Sequence, residues 1–450
     1  MKRTVVYLRI GCCLLLLIMS LALSGCYDQR EIDEMAYPLA VGLDVGRANI
    51  LRMTLQLAAP LSIGGGGGGE SGGGGGGAGG KPVSVITVDT PSIYSGLNMV
   101  NNVISKEINM SHAKVIVISR KLAEKGISKY IQAMMRGREF RPDMFIVVTD
   151  DPPDVYLREV SSVLESNPAK YYELLLGKDY SSYYPEARIA DFHHAIERLD
   201  IEPTAVLSGI NPKESVEEID MMGKTGEHYL DEGRYEAGNV PAVSELKNVA
   251  MGTAVFRGGK MVGTLNGIES VCFQMVTGRY NHSYWTIPDI TGSGNVIVMN
   301  VVQRKRPKTT VEMKDGKPYI TVRLDLEGDY TSIQSTLEHE KYPEAIENKT
   351  IEVIRENVTT FLRRTAEEFD SDICGLGRFM KGKFLTWDEW EKFDWPSHYR
   401  NSEFNVEVKF KIRRTGLIIR LMMPELSAAP RVASGSVKGG WLCRYSHGPW

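Results

Sequence analysis

Long hydrophobic runs are missing from most of this chain of 450 residues. Past the first two dozen positions, no stretch approaches the roughly 20 apolar residues that cross a bilayer as a helix. Cysteine is scarce, with six in all. Two of them fall in the apolar start. Cys26, Cys272, Cys374 and Cys443 are scattered, with neither metal spacing nor a disulfide framework. The 42% of hydrophobic residues suffices to bury cores without disulfides. A basic excess is also absent, since 53 Lys+Arg face 56 Asp+Glu. That balance argues against nucleic acid as a partner, which would want a basic face.

Catalytic signatures are lacking as well. There is no Gly-x-Ser-x-Gly elbow and no His-Glu-x-x-His. The run ending Gly79-Gly80-Lys81-Pro82 nearly spells a phosphate loop, but Pro82 stands where a Mg²⁺-binding hydroxyl is needed. His193 and His194 are adjacent, and adjacent residues do not share a helix face. Cys443 and His447 have ligand-like spacing but no second pair. No nucleophile, base and oxyanion site assembles, so no enzyme activity, cofactor or metal is expected. The cluster Arg304-Lys305-Arg306-Pro307-Lys308 reads as a solvated loop between strands, with anionic lipid headgroups as the alternative contact.

What is present begins at the N-terminus. Lys2, Arg3 and Arg9 precede an apolar run from Gly11 to Leu23, which leads into Leu23-Ser24-Gly25-Cys26. A basic start, a short apolar middle and small residues at the cut describe a secretory signal peptide over 1–25. Cysteine directly after the cut makes it the lipoprotein type. Cys26 would carry an S-diacylglyceryl group and, after cleavage between Gly25 and Cys26, an N-acyl chain. Two chains anchor firmly where one binds marginally. The mature chain loses three basic residues and no acidic one, moving its formal charge from −3 to −6.

A first domain over 26–200 reads as α/β. Strands are expected at Met35–Val45, Leu51–Leu57 and Val83–Val88, with a glycine-rich loop at 64–80. Ile93, Leu97, Val100 and Ile104 recur at helical spacing. Ala113–Ile118 and Met144–Thr149 are unbroken apolar strands, and between them Leu122, Ile127, Ile131 and Met134 outline a helix. This order predicts a parallel crossover. Asp151–Leu199 is mostly helical in pattern.

A middle domain is expected over 201–295, with a hairpin turning at Arg257-Gly258-Gly259-Lys260. The segment 296–421 reads as a C-terminal α+β domain. There Ile320–Glu327 and Phe404–Ile412 alternate apolar and polar residues, as half-exposed strands do. Between them Ile351, Ile354, Val358, Phe361, Leu362, Phe369 and Ile373 trace one stripe of a long amphipathic helix, stopped at Gly375. The fold class is therefore an α/β N-terminal domain followed by α+β domains, with mixed sheets and a long helix packed on an antiparallel sheet. The tail at 422–450 is atypical and has no period.

Several stretches together resemble the Ger(x)C family of spore germination lipoproteins. Cys26-Tyr27-Asp28-Gln29-Arg30-Glu31-Ile32 is similar to that family's mature start. His112-Ala113-Lys114-Val115, Gly252-Thr253-Ala254-Val255-Phe256 with Gly263-Thr264-Leu265, and Ser371-Asp372-Ile373-Cys374-Gly375-Leu376-Gly377 resemble its later motifs in order. So does Val406–Leu417. The resemblance covers roughly 24–420 and carries over one functional residue, Cys26. It implies a three-domain lipoprotein, the C subunit of a GerA-type nutrient germinant receptor. Its partners would be the membrane, through the lipid, and two multi-spanning subunits, A and B. Its place would be the outer face of the spore inner membrane. Which nutrient is sensed, and whether this subunit touches it, does not follow. The rival reading is an extracytoplasmic solute-binding lipoprotein of an importer, which needs two comparable α/β lobes.

Overall fold

The computed structural model describes residues 2–22, 31–58, 83–160, 165, 168–177, 182–211, 232–244, 246–292, 295–334 and 339–414. Cys26, the glycine run, Cys443, His447 and the tail lie outside the described residues.

The N-terminal segment forms helix α1 (Lys2–Ala22), and its described side chains, such as Tyr7, Leu14 and Met19, are exposed. No described helix is long and apolar enough to cross a membrane. The first half contains β1 (Met35–Ala36), β2 (Pro38–Val45), β3 (Leu51–Ala58), β4 (Val83–Thr90), α2 (Ile93–Asn101), β5 (Glu107–Ile108) and β6 (Val115–Ser119). Then come α3 (Arg120–Lys125), α4 (Ser128–Arg136), β7 (Phe145–Thr149), α5 (Pro153–Glu159), α6 (Pro168–Leu176), α7 (Ile189–Ile196) and β8 (Thr204–Ile210). One helix was expected where α3 and α4 stand. Gly126, at φ +108°, breaks it, in a conformation that L side chains rarely adopt.

These strands join β9 (Asn248–Arg257) and β10 (Lys260–Leu265) in an eight-stranded sheet, ordered β10-β9-β8-β7-β6-β2-β3-β4. The neighbours β8, β7, β6 and β2 run parallel and both wings are antiparallel. Helices cover both faces. A Cβ on Gly42 would meet Pro153 and Leu157 of α5, while Met53, on the opposite face, lies against Gly96 of α2. This is why β6 and β7 are buried at every position and read as unbroken apolar runs.

The second sheet uses β11 (His282–Pro288), β12 (Val296–Gln303), β13 (Lys308–Lys314), β14 (Lys317–Ile333) and β15 (Glu403–Arg414), after helix α8 (Gly267–Thr277). Of the stretch 201–295, therefore, β8 to β10 extend the first sheet and β11 opens the second. The β13–β14 hairpin turns at Asp315 and Gly316, both at positive φ, which suits the right-handed strand twist. The strands β11 to β14 are antiparallel, as expected. The last strand differs, because β15 adds to β14 in parallel, from Tyr319↔Glu403 onward. The segment between β14 and β15 is long enough for such a crossover. It holds α9 (Pro343–Glu367), α10 (Gly377–Lys381), α11 (Trp387–Phe393) and α12 (Trp395–Tyr399).

The long helix starts earlier and stops sooner than the expected 351–373. Its buried stripe runs upstream through Ile346 and Thr350, then Ile354, Val358, Phe361 and Leu362. Pro343 sits at its first turn, where a missing N–H costs nothing. Asp370, at φ 49°, lies beyond its end, so Phe369 and Ile373 reach the core from a loop.

A buried carboxylate joining the two sheets: the candidate functional site

That loop carries the motif Ser371–Gly377, and it is where the two sheets are tied together. Asp372 is 4% exposed. Its Oδ1 accepts from the Leu376 N–H at 2.9 Å. Its Oδ2 accepts from the Gly377 N–H at 2.8 Å and from the Trp395 indole N–H at 2.9 Å. One side chain thus caps α10 and fixes the start of α12. A Cβ on Gly377 would come within 2.7 Å of the Trp395 ring and 3.0 Å of Asp200 Cα, so only glycine lets the backbone reach the carboxylate.

The same loop grips the first sheet. The Asp372 carbonyl accepts from the Glu202 N–H at 2.9 Å, just ahead of β8. Ser371 Oγ donates to the Phe256 carbonyl at 2.6 Å, near the end of β9. Arg257 pairs with Asp370 at 2.5 Å, and Glu202 Oε2 accepts from the Gly258 N–H at 2.5 Å. Ile201 packs on Gly375, which sits at φ +63°.

Burial pushes the Asp372 carboxyl up to about 6, against the pull of its three donors. Burial likewise pushes Glu202 up to about 7, with the nearby Asp372 carboxyl adding to the rise. Burial also raises the Cys374 thiol well above its ordinary value. A buried thiol of that kind is inert. Every oxygen of Asp372 is occupied by a donor, so the group positions backbone rather than moving protons to a substrate. The arrangement can hold two sheets in one geometry.

The remaining sequence candidates do not gather there. His193 pairs with Glu197 on α7 at 3.5 Å. Arg304 and Lys305 pair with Glu327 and Asp325 of β14, at 3.6 and 2.8 Å. Among the described residues, no group of three or more His, Cys, Asp or Glu is placed to hold a metal ion. Beside the junction lies a small cleft of about 80 Å³, lined by Ile201, Glu202, Arg279, Ile373 and Cys374 among others. Composition did not single out Asp372, Glu202 or Trp395 as one unit. The only hint was that Asp372 and Gly377 lie inside a recurring motif.

Fold and junction together define a two-sheet protein in which the Ser371–Gly377 motif ties one sheet to the other. Residues 28–209 match the family model described as spore germination protein N-terminal domain, and residues 251–416 match that described as spore germination B3/GerAC like, C-terminal. The chain belongs to the Ger(x)C family of spore germination proteins. It is 25% identical over 416 residues to spore germination protein KC of Bacillus subtilis (strain 168), covering 90% of this chain and 96% of that one. Spore germination protein B3 of the same organism is 20% identical, covering 89% of this chain and 96% of the relative. The crystal structure of the GerBC protein covers 83% of this chain and 96% of its own, at TM-score 0.47 and 16% identity.

Proposed function

We propose that this protein is the lipid-anchored C subunit of a nutrient germinant receptor, needed for nutrient-triggered germination. It sits on the outer face of the spore inner membrane with the multi-spanning A and B subunits, and it works by assembly rather than catalysis. The observation that carries this reading is the match of both halves to germination families, in the same order, in a chain that spans nearly the whole of protein KC. Cys26, after Leu23-Ser24-Gly25, supplies the anchor. Lipid supplies about 0.8 kcal/mol per buried methylene and confines the body to its partners' surface, raising their effective concentration. An importer's binding protein is disfavoured, because the hairpin-built β11–β14 is no second parallel lobe.

The test is Cys26→Ala. Spore membranes from the mutant should lose the protein on salt and carbonate washing, and nutrient germination should fall. Wild-type retention on the membrane by a chain without its leader would sink the anchor. Altered location with germination untouched for every nutrient would sink the receptor role.

A further inference from the structure

Between α10 and α11 the chain makes a tip with an unusual division of its apolar residues. Phe384 turns inward, 5.5 Å from Trp390 and 5.0 Å from Phe393, ring centre to ring centre. Its neighbour Leu385 turns fully out, 94% exposed, and Trp387 is 50% exposed. The tip is held in place. The Leu385 N–H donates to Glu389 Oε2 at 3.0 Å, and Thr386 and Glu389 form a capping box at the start of α11. Lys383 donates to the Val311 carbonyl at 2.6 Å, and Lys381 Nζ lies 4.4 Å from the Trp387 ring centre. Leu385 is the most exposed large apolar side chain among the described residues, and an exposed Trp387 stands two positions on.

The position of the tip matters as much. The parallel strands β2, β6, β7 and β8 all begin on one rim of the first sheet, at Pro38, Val115, Phe145 and Thr204. The described chain enters β2 at that rim, through Ile32–Glu34 and β1. The loop leading to α10–α12 is bonded to the same rim through Glu202 and Asp372. Tryptophan beside leucine, with a lysine on the ring, is the chemistry that settles at a lipid interface.

We propose that the Leu385–Trp387 tip dips into the membrane interface as a second contact beside the lipid, an inference that rests on the membrane-anchored reading. Local charge is balanced, with Lys381, Lys383 and Lys392 against Asp388, Glu389 and Glu391. Insertion is therefore driven by apolar transfer, and high salt should leave it intact.

The test bypasses lipidation. The chain from residue 26, with Cys26→Ala and an N-terminal histidine tag, is tethered to vesicles of phosphatidylcholine, brominated phosphatidylcholine and a nickel-chelating lipid. Removing the leader takes nothing from either core, since neither contains a residue of α1. Bromine should quench the tryptophan emission of the tethered protein. Trp387→Phe should remove that quenching several-fold. Leu385→Asp should do the same at an unchanged melting temperature, while Arg304→Glu should not. Quenching equal to wild type in either tip variant overturns the proposal. So does loss of quenching on raising the salt. The tag keeps these outcomes independent of whether Cys26 is lipidated.

Discussion

The two sheets solve burial in different ways. In the first, β6 and β7 lie between helices and are buried at every residue. In the second, β14 and β15 alternate. Val322, Leu324 and Leu326 face the core, while Arg323, Asp325 and Glu327 stay more accessible. The first sheet therefore relies on apolar packing at its centre, and charge pairs such as Arg52–Asp89 lie toward its wings. The open face of the second is laced with pairs such as Arg323–Glu407 at 2.7 Å and Lys305–Asp325 at 2.8 Å. Surface pairs of that kind add little stability. The difference teaches that the strength of the second sheet comes from the helix beneath it, not from the charges above it.

The sharpest way to break that contrast is Ile354→Asp. Ile354 is fully buried under the second sheet. An unpaired charge there should cost on the order of 4 kcal/mol, read as a large drop in melting temperature. A melt like wild type would mean that α9 does not seal the sheet.

The junction comes next. Asp372→Ala leaves the Leu376 and Gly377 N–H groups and the Trp395 indole N–H without an acceptor. A loss of about 3 kcal/mol is expected. Denaturant melts should then show the two sheets unfolding less cooperatively than in wild type.

Acidity separates the regions further. Asp372 and Glu202 hold their protons more tightly when folded, at about 6 and about 7. Their contribution is full below about pH 4, where the unfolded carboxyls are also protonated. It is lost as pH rises through the folded values, so stability should fall by something on the order of 4 kcal/mol from pH 5 to pH 8. Glu202→Gln should flatten this slope. Asp89 behaves oppositely. The hydrogen bond from Arg52 holds it down at about 2, so its contribution is lost as pH falls below about 4. Stability that is flat between pH 5 and pH 8 would contradict the junction's role.

Smaller effects sharpen the comparison from the other side. Arg323→Ala, which removes a surface pair, should cost under about 1 kcal/mol by chemical denaturation. Shortening 64–80 to a few residues should change stability by no more than about 1 kcal/mol. Ala58 and Val83, which flank it, are already cross-strand partners. A large fall in melting temperature on that deletion would give the glycines a structural task.

Local pattern alone was enough for much of this. The unbroken runs at 115–119 and 145–149 announced strands covered on both faces, and alternation at 320–327 and 404–412 announced a wet face and a dry one. The hairpin at Gly258-Gly259 and the stripe of α9 were legible for the same reason, since each depends on neighbours a few residues apart. The lipoprotein motif ending at Cys26 is likewise a reading of sequence.

Tertiary structure decided what no local period encodes. It placed β15 parallel to β14, because a crossover carries no mark of the direction in which it returns. It carried the first sheet on through β8, β9 and β10. It also made one unit of Glu202, Phe256, Asp372 and Trp395. These residues are far apart along the chain, and a buried carboxylate finds its donors only when separate segments have packed around it.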